Sequence, residues 1–83
     1  MKKLRTRTAR QDFLAATAAE VLRSWIATDR TVCVNGQDVS VRLKHTGDAS
    51  YVAYVSDDSR MDSPRRIGSF YTDGKTFWSI AAQ

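Results

Sequence analysis

Apolar side chains recur with a helical period in the first third of the chain. Those that share one face of a helix with 3.6 residues per turn are Leu14, Ala18, Val21, Leu22, Trp25 and Ile26. Thr8, followed three residues later by Gln11, matches the capping-box pattern at the start of many helices. The spacing predicts an amphipathic helix over about residues 9–27, whose apolar stripe must pack on another element.

The period changes from 3.6 to 2 after this helix, and Asn35-Gly36 lies between two alternating runs. This dipeptide in such a context is the strongest short-range signal for a β-hairpin. A two-residue turn there pairs Val34 with Gln37, and it brings five apolar side chains to one side. They are Val32, Val34, Val39, Val41 and Leu43.

The opposite side of this first hairpin is predicted to be polar. Thr31 meets Ser40 there, and Asp29 comes within reach of Arg42, cross-strand pairs that add a few tenths of a kcal/mol each. Cys33, the one cysteine of the chain, alternates onto the same side. The hairpin therefore has one buried face and one hydrated face, and the chain contains no internal disulfide.

A third strand is predicted over about residues 49–55, after a break at Gly47-Asp48. Neither of its sides is polar. One side carries Tyr51, Ala53 and Val55, and the other carries Val52 and Tyr54. The polar stretch 56–65 that follows predicts an exposed loop.

A second hairpin closes the chain, with Asp73-Gly74 as its predicted two-residue turn. This turn pairs Phe70 with Phe77 on one side of the hairpin. The other side carries Ile67, Tyr71, Trp78 and Ile80. Because one helix covers only one face of a sheet, we expect the Trp78 side to face the helix and the two phenylalanines to lie on the open face.

Together these elements predict an α+β fold in a single domain over residues 9–83. One N-terminal amphipathic helix packs on one face of an antiparallel sheet of about five strands, made of two hairpins plus one strand. Residues 1–8 are predicted to form a flexible basic arm. The order of the strands in the sheet stays open, since a hairpin determines only its own pairing.

Positive charge is concentrated at the start of the chain. Five of the thirteen Lys and Arg residues lie in the first ten positions with no acid among them, which leaves eight bases against nine acids. The net charge of +4 and the pI of 9.6 therefore describe the arm rather than the folded body. The predicted contacts to an anionic partner are Lys2, Lys3, Arg5, Arg7, Arg10, Arg65 and Arg66.

Local spacing shows no catalytic or metal-binding motif. His45 has no nucleophile or carboxylate placed beside it, and the four glycines form no phosphate-binding loop. The acidic positions around residues 57–62 lack the spacing of a calcium loop. We therefore expect a protein that is not an enzyme and that holds no cofactor or metal. With no apolar run near the ~20 residues of a membrane span, we expect a cytoplasmic location.

A protein-binding module is the leading functional hypothesis, for example an inhibitor or accessory factor of the phage or mobile-element type that acts on a host nucleic-acid-handling machine. Its predicted contact residues are Phe70, Phe77 and Tyr54, because exposed apolar patches usually mark contacts. The alternative is a nucleic-acid-binding protein that uses the basic arm and the aromatic side chains of the sheet. A homodimer closed by the phenylalanine pair is a third alternative.

Overall fold

One helix precedes five strands in the computed structural model, which describes residues 7–57 and 66–83. They are α1 (Arg7–Arg23), β1 (Arg30–Val34), β2 (Gln37–Gly47), β3 (Ser50–Asp57), β4 (Arg66–Thr72) and β5 (Phe77–Ala82). The strands form one antiparallel sheet in chain order, β1-β2-β3-β4-β5. The predicted α+β architecture, one helix on a five-stranded antiparallel sheet, is confirmed.

The predicted boundaries differ at several points. Residues 7 and 8 belong to α1 rather than to the predicted arm, so Thr8 lies inside the first helical turn instead of capping it. Residues 56 and 57 belong to β3 rather than to the predicted loop. The rest of that loop, 58–65, and residues 1–6 of the arm lie outside the described residues.

The helix ends at Arg23, four residues before the predicted end. Just beyond it, the Arg30 guanidinium donates hydrogen bonds to the Ser24 carbonyl oxygen at 2.6 Å and to Ser24 Oγ at 3.1 Å. A cation at this position complements the negative end of the helix dipole. The prediction that Trp25 and Ile26 continue the helical stripe is wrong: the Trp25 ring packs edge-on against Tyr51, and Ile26 is 56% exposed.

The buried side of α1 differs in membership from the predicted stripe. It consists of Phe13, Leu14, Thr17, Ala18 and Val21. Thr17 is the polar member of this set, and its hydroxyl donates a hydrogen bond to the Phe13 carbonyl oxygen at 2.8 Å. This bond satisfies the hydroxyl inside the core, where an unpaired polar group is costly.

The first hairpin forms with the predicted register. Val32 pairs with Val39 and Val34 pairs with Gln37. Asn35 and Gly36 have φ angles of 54° and 79°, so both central residues adopt the positive φ that a type I′ turn requires. All four hairpin valines of β1 and β2 are buried in the core that also contains the buried side of α1. The predicted polar side is also confirmed, with Thr31 opposite Ser40.

The second hairpin differs from its predicted register. Thr72 pairs with Phe77, and residues 73–76 form a four-residue connection in place of the predicted two-residue turn. Phe70 consequently pairs with Ile80 rather than with Phe77. Relative to the predicted pairing, β5 is thus displaced along β4 by more than one residue.

Local hydrogen bonds explain the longer connection. A two-residue type I′ turn needs positive φ at both central residues, and Asn35 is the one non-glycine residue with positive φ in the described chain. Asp73 therefore adopts another conformation. Its carboxylate accepts hydrogen bonds from the backbone N–H groups of Lys75 and Thr76, both at 2.8 Å. The Thr72 hydroxyl also donates to the Thr76 carbonyl oxygen, which closes the turn.

The predicted orientation of the phenylalanine pair is wrong. Phe70 is completely buried beneath α1, and Phe77 is half-buried against the same core, with the two ring centroids 6.4 Å apart. The pairing of β4 with β5 is irregular between Tyr71 and Thr72, so the side chains of β5 do not keep the same alternation between the two faces of the sheet as those of β4. Because of this irregularity, Ile80 lies on the same side of the sheet as the two phenylalanines and not on the Trp78 side.

The sheet curls around the helix. α1 contacts β1, β4 and β5, and because β1 and β5 are opposite edges of the sheet, both edges must bend toward the helix. Register irregularities interrupt all three pairings among β2, β3, β4 and β5, and such irregularities increase local bend and twist. The core lies in the resulting concave side.

The helix approaches the sheet closely at Gly68 in β4. A Cβ atom at this position would lie 2.6 Å from Leu14 Cδ1 and 3.1 Å from Ala82 Cα, and it would collide with the Ala81 carbonyl oxygen. Glycine is therefore required by the packing of α1 and β5 over β4. Because α1 packs against β4 at Gly68, the side of the sheet that carries Phe70 is the side that the helix covers.

We expect Gly68→Ala to lower the free energy of unfolding by about 1–3 kcal/mol, the usual cost of inserting a methyl group into a packed core. Urea unfolding followed by circular dichroism measures this change. Gly47→Ala is the matched control, because its Cβ would meet only Ser50 Oγ at 3.4 Å, and its effect should stay within about 0.5 kcal/mol. Equal stabilities of the two variants would contradict the close approach.

The Asp73 turn predicts a pH dependence of stability. Hydrogen bonds from the backbone N–H groups of Thr76 and Lys75 hold the pKa of the Asp73 carboxyl below its ordinary value of 3.8. The stabilisation is therefore complete above the unfolded-state pKa and is lost as the pH falls through the lower folded-state pKa. Asp73→Asn should be less stable than the parent at neutral pH, and the difference in urea unfolding should shrink as the pH falls below 3.8. A pH-independent difference contradicts this role.

Candidate functional site

The side of the sheet opposite α1, here called the outer face, carries aromatic and cationic side chains. Its aromatic members are Tyr54, Tyr71 and Trp78, and its cationic members are Arg42, Lys44 and Arg66. The members on β2, β3 and β4 alternate with buried residues, so strand geometry directs them away from the helix. Trp78 on β5 joins them because its ring lies beside that of Tyr71. No described element covers this face.

Tyr71 and Trp78 form the most exposed aromatic pair of the outer face. Tyr71 is 39% exposed and Trp78 is 56% exposed, with ring centroids 6.3 Å apart and planes tilted by 32°. Val52 lies beside Tyr71 in the sheet register and is buried although it lies outside the core beneath α1. The outer face therefore contains an apolar region around these rings.

Tyr54 lies at the centre of the cationic part of the outer face. Arg66 stacks over its ring, with the guanidinium carbon 4.8 Å from the ring centroid, a cation–π contact. Arg42 is the β2 residue that registers directly opposite Tyr54. Two guanidinium groups thus belong to strands on either side of this tyrosine.

The outer face carries more positively than negatively charged side chains. Arg42, Lys44 and Arg66 lie on the described strands of this face, and Asp38 is the one acidic residue among them. Asp29, just before β1, approaches Arg42 with a distance of 3.6 Å between Oδ2 and Nε. Both side chains are largely exposed, so this ion pair contributes little and is screened by salt.

A groove of 490 Å³ crosses the β1 end of the outer face. Its lining consists of Asp29, Arg30, Thr31, Ser40, Val41, Arg42, Tyr54, Ser56 and Arg66. The Asp29 carboxylate is held at the rim because Oδ1 accepts a hydrogen bond from the Leu43 backbone N–H at 3.0 Å. The groove therefore combines guanidinium groups, hydroxyls and one aromatic ring, which are groups that bind anions carrying a planar ring.

Two of the three predicted contact residues, Phe70 and Phe77, lie on the side of the sheet that faces the core and not on its open side. Phe70 is completely buried and Phe77 packs against the core, while Tyr54 lies on the outer face. The prediction that the phenylalanine pair forms the open contact patch is therefore wrong, and the exposed pair of the second hairpin is Tyr71 and Trp78.

The predicted anion-contact residues fall into three groups. Arg66 lies on the outer face, whereas Arg10 lies on α1 on the other side of the sheet. Arg7 begins α1. The remaining four lie outside the described residues: Lys2, Lys3, Arg5 and Arg65.

Sequence reasoning missed the cations of β2 as site residues. Arg42 and Lys44 alternate with Val41 and Leu43, and this alternation alone places them on the hydrated side of the first hairpin. Pairing with β3 then brings Tyr54 opposite Arg42. The periodicity of β2 already indicated that these cations are exposed. The register of β3 was needed to show that an aromatic ring lies beside them.

His45 lies away from the groove, near the β2–β3 turn. Its Nε2 atom is 3.3 Å from the Asp48 carbonyl oxygen, and its ring is 4.9 Å from the Tyr51 ring. Within residues 7–57 and 66–83, no three His, Cys, Asp or Glu side chains are grouped so that they could hold a metal ion. Over the same residues, no helix combines the length and the apolar character needed to cross a membrane.

Comparisons of the chain with protein-family models, with curated proteins and with solved structures give no match.

Proposed function

We propose that this protein is a non-enzymatic binding protein that holds single-stranded nucleic acid on the outer face of its sheet. The observation that carries the proposal is the combination of three aromatic and three cationic side chains on a face that no described element covers. Aromatic rings stack on bases of any sequence, and Lys and Arg contact the phosphates between them.

The aromatic spacing supports this proposal. Tyr54 and Tyr71 lie on adjacent strands as diagonal neighbours, a relationship that places residues about 7–8 Å apart. Trp78 extends the row beyond Tyr71, with 6.3 Å between their ring centroids. Successive unstacked bases of one strand have separate rings available along this row.

The charges favour a flexible single strand over a rigid duplex. The cations of the outer face are few, and they are interleaved with rings that a base-paired duplex cannot stack upon. Lys2, Lys3 and Arg5 at the start of the chain add further positive charge that releases counterions from phosphates. Such binding has little sequence preference and weakens with salt.

A protein partner is the second candidate function, as in the inhibitor or accessory-factor hypothesis. The specific observation in its favour is the 56% exposure of Trp78 beside Tyr71, since Trp, Tyr and Arg are the residues that dominate protein interfaces. A second copy of this chain is one such partner. We put nucleic acid before a protein partner because the outer face carries more cationic than acidic side chains.

We also propose a cytoplasmic location. Cys33 is an exposed free thiol, and such a group persists in a reducing compartment.

Trp78→Ala should weaken binding of a fluorescent oligo-dT or oligo-U of about 15 nucleotides by roughly five- to 150-fold, because one stacked base contributes about 1–3 kcal/mol. Fluorescence anisotropy at low salt measures the affinity. Ile26→Ala is the matched control, since Ile26 is an equally exposed apolar side chain, at 56%, that lies outside the sheet. Its binding should equal that of the parent. If the parent binds neither oligonucleotide, the nucleic-acid proposal is wrong and a protein partner becomes the leading function.

Lys44→Gln should reduce the slope of log K against log salt by about 0.7, the value for one phosphate contact to a single strand. Deleting residues 1–6, which removes Lys2, Lys3 and Arg5, should reduce it by up to about 2. Arg23→Gln removes the same charge from α1, on the other side of the sheet, and should leave the slope unchanged. A slope that responds equally to both glutamine variants would mean that net charge, rather than the outer face, determines binding.

A further inference from the structure

We propose that the groove at the β1 end of the outer face binds one nucleotide, with its phosphate between Arg42 and Arg66 and its base against the Tyr54–Arg66 stack. Because it assigns a subsite on the same surface, this proposal rests on the proposed function. The chemical class of the ligand is a nucleoside phosphate, either free or as one unit of a strand.

The placement of the two guanidinium groups points to a phosphate. Arg42 on β2 registers opposite Tyr54, and Arg66 on β4 stacks over the same ring at 4.8 Å. A planar guanidinium forms paired, charge-assisted hydrogen bonds to phosphate oxygens. Arg42, Arg66 and the Tyr54 ring line one groove, which thus provides both the charge and the planar surface that a nucleotide needs.

Hydroxyl groups line the same end of the groove. Thr31, Ser40 and Ser56 stand in one cross-strand row, and the row continues to Arg66 on β4. Hydroxyls donate hydrogen bonds to phosphate oxygens and also accept them from ribose hydroxyls. The row therefore supplies uncharged polar partners beside the two cations.

The size of the groove fits a nucleotide rather than an isolated anion. Its volume of 490 Å³ lies within the range of about 300–1,000 Å³ that is typical of small-molecule sites. The Arg66 guanidinium lies over the Tyr54 ring, and both side chains line the groove. Bases stack on guanidinium planes as well as on aromatic rings.

Asp29 opposes the binding of an anion in this groove. Its carboxylate lies 3.6 Å from Arg42, and it stays at the rim because it accepts the hydrogen bond from the Leu43 backbone N–H. The exposed ion pair is weak, so a phosphate competes with the carboxylate for Arg42. Asp29→Asn removes the competing charge while keeping an oxygen for Leu43, and it should tighten nucleotide binding.

An NMR titration of the ¹⁵N-labelled protein tests the subsite directly, with adenosine 5′-monophosphate, adenosine and inorganic phosphate as probes. We expect the monophosphate to shift the amides of Thr31, Ser40 and Ser56, and to bind roughly tenfold or more tightly than adenosine. Arg66→Gln should weaken its binding about tenfold, whereas Asp29→Asn should strengthen it. Arg23→Gln, with the same charge change on α1, should have no effect.

The outcomes separate this subsite from the proposed function. If oligonucleotides bind the outer face but adenosine 5′-monophosphate shifts no groove amide, the subsite is overturned and the function stands. Equal affinities for adenosine and its monophosphate also overturn it, because the two guanidinium groups then contribute nothing. If neither the oligonucleotides nor the monophosphate binds, both proposals fail.

Discussion

The close packing of α1 over Gly68 decides which face of the sheet is covered by the helix and which stays exposed. A side chain at this position would meet Leu14 and the backbone of β5, so the absence of a Cβ lets the helix approach β4. That approach buries Phe70 completely. The tyrosines and tryptophan of the opposite side remain outside, among the cations of β2 and β4.

The local fold could be predicted from sequence wherever a single residue type imposes the geometry. Asn35 and Gly36 tolerate the positive φ of a type I′ turn, so the first hairpin formed with the expected register. The second hairpin had a similar Asp-Gly signal. There the carboxylate of Asp73 binds backbone N–H groups within the turn, and this competing set of hydrogen bonds lengthens the connection.

The candidate site was only partly predictable, because its orientation depends on irregularities in strand pairing. The alternation of β2 already places Arg42 on a hydrated side. The shift between Tyr71 and Thr72 and the one near Val55 have no local sequence signal, yet they determine which aromatic side chains share a face. A long-range contact of the helix then decides which of the two faces is buried, and periodicity alone carries no information about it.

The strand order has a consequence for how the chain reaches its native state. Every strand pairs with its neighbour along the chain, so the sheet is built from short-range contacts that close small loops at little entropic cost. The packing of α1 against β4 and β5 is different, because it joins segments separated by most of the described sequence. We therefore expect the strands to pair before α1 docks, so that docking is the step that expels water from the core.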